Sequence, residues 1–314
     1  MQKTVVELES AIRDRINEGR KQYELLARAA DWNRLCSALD VIGDTELALD
    51  SYLKHAVVRN IGTKYLHIYG ALQLLQTQQD AAAELCSALQ IKPQASPKIP
   101  LIRQLRSSAI GHPTHQREDS HEKSNFIVRV TVTQFSFTLF TVTTDEESHT
   151  EHDVNIPKLI ELQSTAIGAT LSEVIKLLDE AEVKHREEHK NERLADCFPK
   201  TLSYYESKIF EAIHSTKSHP LGKMHIDLIG ECLERFQSML ELRGEWGVHE
   251  SINYEFGLIE YPIKQLSIYF SKKSESKLNE KDAYIFCAFI GAQLKSLIKL
   301  AEEIDLQYSE RLGG

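Results

Sequence analysis

The sequence has no CxxC pair, no glycine-rich phosphate loop, no dinucleotide fingerprint and no GxSxG elbow. These gaps remove the common ATPase, dehydrogenase and serine-hydrolase readings, each of which needs its glycines to let backbone or nucleophile approach the reacting group. The five cysteines, Cys36, Cys86, Cys197, Cys232 and Cys287, stand singly. An odd, dispersed set excludes a disulfide frame or a zinc knuckle and points to reduced thiols packed among apolar helical neighbours. No apolar run reads as long enough to span a bilayer. The opening MQKTVVELESAIRDR is charged and amphipathic where a signal peptide would be apolar. The expectation is a soluble, cytoplasmic chain without a membrane partner.

A further absence is local. The 314-residue chain carries a net charge of −9, yet residues 85–117 contain neither Asp nor Glu. That stretch holds Lys92, Lys98, Arg103, Arg106, Arg117, His112 and His115. Overall acidity argues against a protein that coats nucleic acid, whereas an acid-free basic island suits a local anion site or the docking of an acidic partner helix.

What is present is mostly helical periodicity. Over residues 2–29, Val5, Leu8, Ile12, Ile16, Tyr23, Leu26 and Ala30 follow three- and four-residue steps and predict one long helix. Asp31 suits the cap of a shorter helix to about Val41, with a break at Ile42-Gly43-Asp44 and another short helix through Leu47, Leu49 and Tyr52. Residues 63–91 give the strongest helix, with a polar middle of Gln73, Gln76, Gln78, Gln79 and Asp80. After KPQASPKIP, Pro97 and Pro100 suit the first turn of a helix that runs to Gly111. Gly111 can take a left-handed cap, and Pro113 disfavours helix at His112.

Residues 114–125 read as a polar loop, and FIVRVTVTQFSFTLFTVTT as a β-hairpin turning near Thr133-Gln134. The acidic DEESHTEHD reads as a loop leading back to helix from about Ile156. Helix continues to Tyr308, with breaks near Phe198-Pro199, at 218–220, at 244–247 and in SKKSESKLNEK. The expected fold is therefore mainly all-α: a helical bundle over residues 1–122, a small inserted hairpin over 123–145 and a second helical region over 146–314.

The segment IRQLRSSAIGHPTHQ places Arg106, five residues, and then His112 at a helix end. Arginine offers a permanently charged fork of donors to a phosphate, and a histidine just past the helix end can move a proton near neutral pH. On an ideal helix six residues leave the two side chains about a third of a circle apart. The Gly111-His112-Pro113 break would relieve that separation. The motif, with YGALQLLQTQQDAAAEL before it, resembles the HEPN family and a group of bacterial HEPN-like proteins, over roughly residues 60–115. Ser107 stands where that family often has Asn after the arginine.

The resemblance implies a helical core and metal-independent endoribonuclease chemistry. In it the 2′-hydroxyl attacks its own phosphate, giving a cyclic phosphate, with Arg106 and His112 catalytic. It also implies a homodimer with a composite site, and a toxin or phage-defence role, with an antitoxin or other protein partner left open. RNA contacts are expected from Arg103, Ser107, His115, Arg117, Tyr69 and Gln73, with no metal and no cofactor. The alternative is a non-catalytic helical protein holding a partner or a nucleotide on the same basic cleft. Tyr69, Gln73, Gln76 and Asp80, at three- and four-residue steps on the 63–91 helix, could line that cleft; the preferred reading is a buried polar layer that fixes helix register. His185-Arg186-Glu187-Glu188-His189 matches a zinc-peptidase pattern, but its heavily charged helix reads as a solvated face.

Overall fold

In the computed structural model, residues 3–92, 96–114, 116–118, 121–143, 148–271 and 275–309 are described. They divide into two compact units, Met1–Glu18 with Leu25–Asp179, and Gly19–Glu24 with Glu180–Gly314. The sequence places a division near residue 146 instead. The sheet and the first two-thirds of the helix after it pack into the first unit, where Val154, Ile156 and Ile160 share a core with Leu72 and Leu75.

Helix α1 (Val5–Ile16) opens on a capping box. The Glu7 amide donates to the Thr4 hydroxyl at 3.2 Å, and the Thr4 amide donates to the Glu7 carboxylate at 2.7 Å. The long helix expected over residues 2–29 is divided, because α1 ends at Asn17 and α2 (Gly19–Leu26) begins afresh. Asn and Gly are weak helix formers, and nothing there outweighs them.

The reverse happens in α3 (Ala29–Lys54), which runs straight through the break expected at 42–44. Glycine in a helix costs about 1 kcal/mol. Ile42 is fully buried beside Leu39, and Thr45 donates to the Val41 carbonyl at 2.8 Å, so burial decides the matter. Asn60 caps α4 (Ile61–Ala88), accepting from the Thr63 amide at 3.0 Å. Helix α5 (Lys98–Arg106) returns antiparallel along α4 and ends in a π-turn, Ser107–Gly111.

The expected hairpin is part of a larger sheet. Strands β1 (Gln116–Glu118), β2 (His121–Ile127), β3 (Ser136–Thr143) and β4 (Ser148–Asn155) form an antiparallel meander in that order. The turn at Thr133-Gln134 lies in the β2–β3 connection, where the Thr133 amide donates to the Ser136 carbonyl at 2.9 Å. Two segments read as loops are strands. The polar stretch before residue 125 supplies β1 and most of β2, and SHTEHDVN is β4. Their side chains are polar on both faces over most of their length, so no apolar alternation marks them.

The inner face carries Phe137, Leu139 and Val154 against the helices. Gln134, also buried, ties the sheet to the α3–α4 connection: it accepts from the Val58 amide at 2.8 Å, and its carbonyl accepts from the Tyr52 hydroxyl at 2.7 Å. Asn155 then caps α6 (Ile156–His189), accepting from the Lys158 amide at 3.0 Å.

The second unit is helical. Its elements α7 (Leu202–Ile213), α8 (His219–Leu242), α9 (Glu250–Ser271) and α10 (Glu280–Ser309) surround one apolar core. They are separated at the prolines, glycines and charged loop named above. Gly244 (φ +67°) and Gly247 (φ +88°) take left-handed conformations, and a Cβ on Gly247 would sit 2.5 Å from the Tyr23 hydroxyl. Contrary to the sequence reading, α10 is long and apolar enough to cross a membrane by length and composition. Its stripe of Ala283, Cys287, Ile290, Leu294, Leu297 and Ala301 is buried in the core of this unit. All five cysteines are free, and burial raises every thiol, Cys86 to about 11 and Cys287 to about 12.

Candidate functional site

Helices α4 and α5 lie face to face through polar contacts. Arg103 donates to Asp80 at 2.5 Å and to Gln79 at 3.2 Å, and one turn on, Arg106 donates to Gln73 at 2.7 Å. The stretch that lacks acids in sequence therefore meets one in space. Arg103 is neutralised by Asp80, which weakens its expected role as a phosphate ligand. Arg106 differs. Its hydrogen bond goes to a neutral amide, its Nε has no partner, and among the described residues no carboxylate pairs with it.

The π-turn decides where Arg106 points. A π-turn accommodates an extra residue, closing from residue i+5 to i, and the His112 amide accordingly donates to the Ser107 carbonyl at 2.8 Å. That widening brings residue 111 under the arginine, in place of residues 109 and 110. A Cβ on Gly111 would lie 3.0 Å from the Arg106 Nη1. Gly111 thus lets the arginine tip lie close, where a Cβ would make it give by a few tenths of an ångström, and it serves no left-handed cap; among the described residues the left-handed glycines are Gly244 and Gly247. His112 follows with φ −137° and ψ 59°, non-helical and exposed, as Pro113 demands. The arginine head and the histidine are therefore brought to neighbouring backbone positions, although no contact joins their side chains.

The other expected contact residues are scattered. Gln73 holds Arg106, Tyr69 is exposed one turn earlier on α4, and Ser107 begins the π-turn. His115 lies outside the described residues. Arg117 is on β1, and its side chain is likewise outside them.

Sequence reasoning missed Gln163 and Glu46, which complete a line of buried amides. Gln79 donates to Gln163 at 2.6 Å, Gln163 to Gln78 at 2.7 Å, and Gln78 to Glu46 at 2.6 Å. With Arg103 at its other end, this line crosses α3, α4, α5 and α6. The buried layer expected of Tyr69, Gln73, Gln76 and Asp80 is not made by them, since Tyr69, Gln73 and Asp80 are exposed; the buried polar layer is built on Gln78 and Gln79, on the adjoining face of α4. The available signal was a glutamine within the apolar stripe of Ile160 and Ile167.

The zinc-peptidase pattern lies in the second unit. His185 and His189 have ring centroids 4.8 Å apart. Among the described residues no group of three His, Cys, Asp or Glu is placed to hold a metal. The run is a solvated face on one side only, where Lys184, Glu187, Glu188 and Lys190 are exposed, while Glu182, His185, Arg186 and His189 form a half-buried polar stripe on the other. Tyr308 donates to Glu245 at 2.8 Å, so the His185 Nε2, 2.9 Å from the Tyr308 oxygen, carries the proton of that contact. Burial opposes the Glu245 charge, but hydrogen bonds from His249 and Tyr308 outweigh it and hold the carboxyl below its usual range.

Burial first, then Arg20 and His189, hold His185 below its ordinary value of 6.5. As pH falls past that value, the unfolded chain takes the proton before the folded one. Stability therefore declines down to the folded value and stays low beneath it. Melting temperature of this unit is expected to fall as pH is lowered through about 6.5, and His185→Gln to flatten part of that slope. Parallel pH profiles for both proteins would refute the assignment.

No known protein family, no curated protein and no solved structure matches this chain.

Proposed function

We propose that the chain is a HEPN-like, metal-independent endoribonuclease in which Arg106 and His112 act on the scissile phosphate. The observation that carries this reading is the π-turn. It sets an arginine not neutralised by a carboxylate against Gly111, directly beside an exposed histidine. His112 moves the proton of the attacking 2′-hydroxyl or of the leaving oxygen, and Arg106 stabilises charge on the phosphorane-like transition state. One arginine and one histidine supply only part of the required acid–base pair. The reading therefore includes a homodimer in which two such turns form one site.

The test is cleavage of single-stranded RNA in the presence of a chelator. His112→Ala and Arg106→Ala are each expected to slow cutting by ~10²–10⁴, with cyclic phosphate ends on the wild-type products. Wild-type rates in both variants would sink the proposal, and a monomer at working concentration would remove its composite site.

One observation favours a second reading, a non-catalytic partner- or nucleotide-binding protein. Both arginines of α5 already hold α4, Arg103 through Asp80 and Arg106 through Gln73. It predicts that Arg106→Ala lowers the melting temperature while neither protein cuts RNA.

A further inference from the structure

The inner face of the sheet changes character along its length. Near α6 it presents Phe137, Leu139 and Val154. Farther along the same strands, Asn125 pairs across to Thr141, and Thr141 to Thr150. Strand alternation keeps these residues on the face that the helices cover. Asn125 and Thr141 are fixed there, the Thr141 hydroxyl donating to the Asn125 side-chain oxygen at 2.7 Å. A polar inner face is a poor partner for apolar helix, and here the helix does not close on it. A cavity of about 560 Å³ remains between α5, the π-turn, strands β2 to β4 and α6. That volume falls within the range of small-molecule sites.

The walls have a division of labour. Leu101, Ile102 and Leu105 of α5 face Leu139, Leu159 and Leu162 across an aliphatic interior. Lys98, Lys123 and His152 also line the cavity, together with neutral hydroxyl and amide groups, and among the described residues no carboxylate does. A cation in this space would meet like charge from two lysines. A fully apolar ligand would leave the Asn125–Thr141–Thr150 wall facing hydrocarbon, at the cost of lost hydrogen bonding. A ligand with an aliphatic body and an anionic head fits both halves.

We propose that this cavity is a binding site for a small anionic amphiphile, a carboxylate or phosphate monoester on an aliphatic body. The body lies among the leucines of α5 and α6, and the head is held by Lys98, Lys123 and His152. The proposal is independent of RNA cleavage, because Arg103 and Arg106 point from α5 toward α4 and do not line the cavity.

Isothermal titration of the full chain with four probes of one chain length tests it: octanoate, octyl phosphate, octanol and octylamine. Octanoate and octyl phosphate are expected to bind once per chain, and the stronger of the two identifies the head group. Octanol should bind at least about tenfold more weakly, the equivalent of about 1.4 kcal/mol, and octylamine not at all. Lys98→Glu, an exposed change at the first turn of α5, should weaken both anions by about tenfold without altering the melting temperature. Leu162→Trp should block them by filling the interior. Octylamine binding as tightly as octanoate, unchanged affinity in Lys98→Glu, or no heat from either anion at millimolar concentration would each overturn the assignment.

Discussion

Gln163→Leu lowers the melting temperature of the first unit by on the order of 10 °C, although leucine matches its size and adds apolar surface. Gln163 is fully buried and makes three hydrogen bonds, accepting from Gln79 and donating to Gln78 and to the Leu75 carbonyl. Leucine takes all three away. The Gln79 amide nitrogen and the Gln78 oxygen are then buried without these partners, at about 1–3 kcal/mol each. The apolar gain of leucine offsets part of this, leaving a net loss of about 2–4 kcal/mol. Thr165→Ala, on the exposed side of the same helix, serves as the comparison. Thermal denaturation followed by circular dichroism decides the case, and a fall no larger than that of Thr165→Ala would show that the amide line contributes nothing.

Arg243→Met is expected to destabilise the second unit by about 3–5 kcal/mol. The Arg243 side chain is 1% exposed and faces Asp305 at 3.4 Å. It also donates to the carbonyls of His189 and Glu192, where α6 ends, and lies 4.7 Å over the Tyr308 ring. Methionine fills much of the volume but leaves Asp305 buried with less compensation. Its remaining partners are the Leu194 and Ala195 amides, at 2.9 and 3.0 Å, and the more exposed Arg193 at 3.8 Å. Asp305→Asn in the Arg243→Met background should therefore recover stability, while in the wild-type background it should cost stability. Chemical denaturation of the four proteins gives the coupling directly. Strict additivity would mean that the buried pair is not what stabilises this corner.

The sequence made the helical class readable because apolar residues at helical spacing report burial on one face, as in α4 and α10. Helix ends were readable where proline or paired glycines forbid continuation, at Pro220 and at 244–247. They were misread where tertiary burial outweighs a local preference. Gly43 carries a clear break signal, yet Ile42 and Thr45 pack into the core on either side of it. Strand β4 was unreadable for a related reason: backbone pairing to β3 makes it a strand, while His149, Glu151 and Asp153 give no alternation. At the Arg106–His112 turn, the spacing and the break at Pro113 were visible. The hold of Gln73 on Arg106 and the neutralisation of Arg103 by Asp80 were not, since each depends on what α4 presents from more than twenty residues away, and the π-turn, though local, carries no spacing of its own in the sequence. Arg243 and Asp305, separated by 62 positions, left no local mark at all.

The buried amide line has a sense of direction. Each glutamine turns its oxygen toward Arg103 and its nitrogen toward Glu46, so the dipoles run head to tail from a cation to an anion. In the middle of the row the Gln163 nitrogen also donates to the Leu75 carbonyl, which favours the same direction. Opposite charges at the two ends leave one orientation, and the four helices are keyed together by it. The same polarity commits Arg103. A phosphate that drew its guanidinium away would orphan the Gln79 oxygen, whereas Arg106, tied to a single surface amide, can turn to an incoming anion without disturbing the interior.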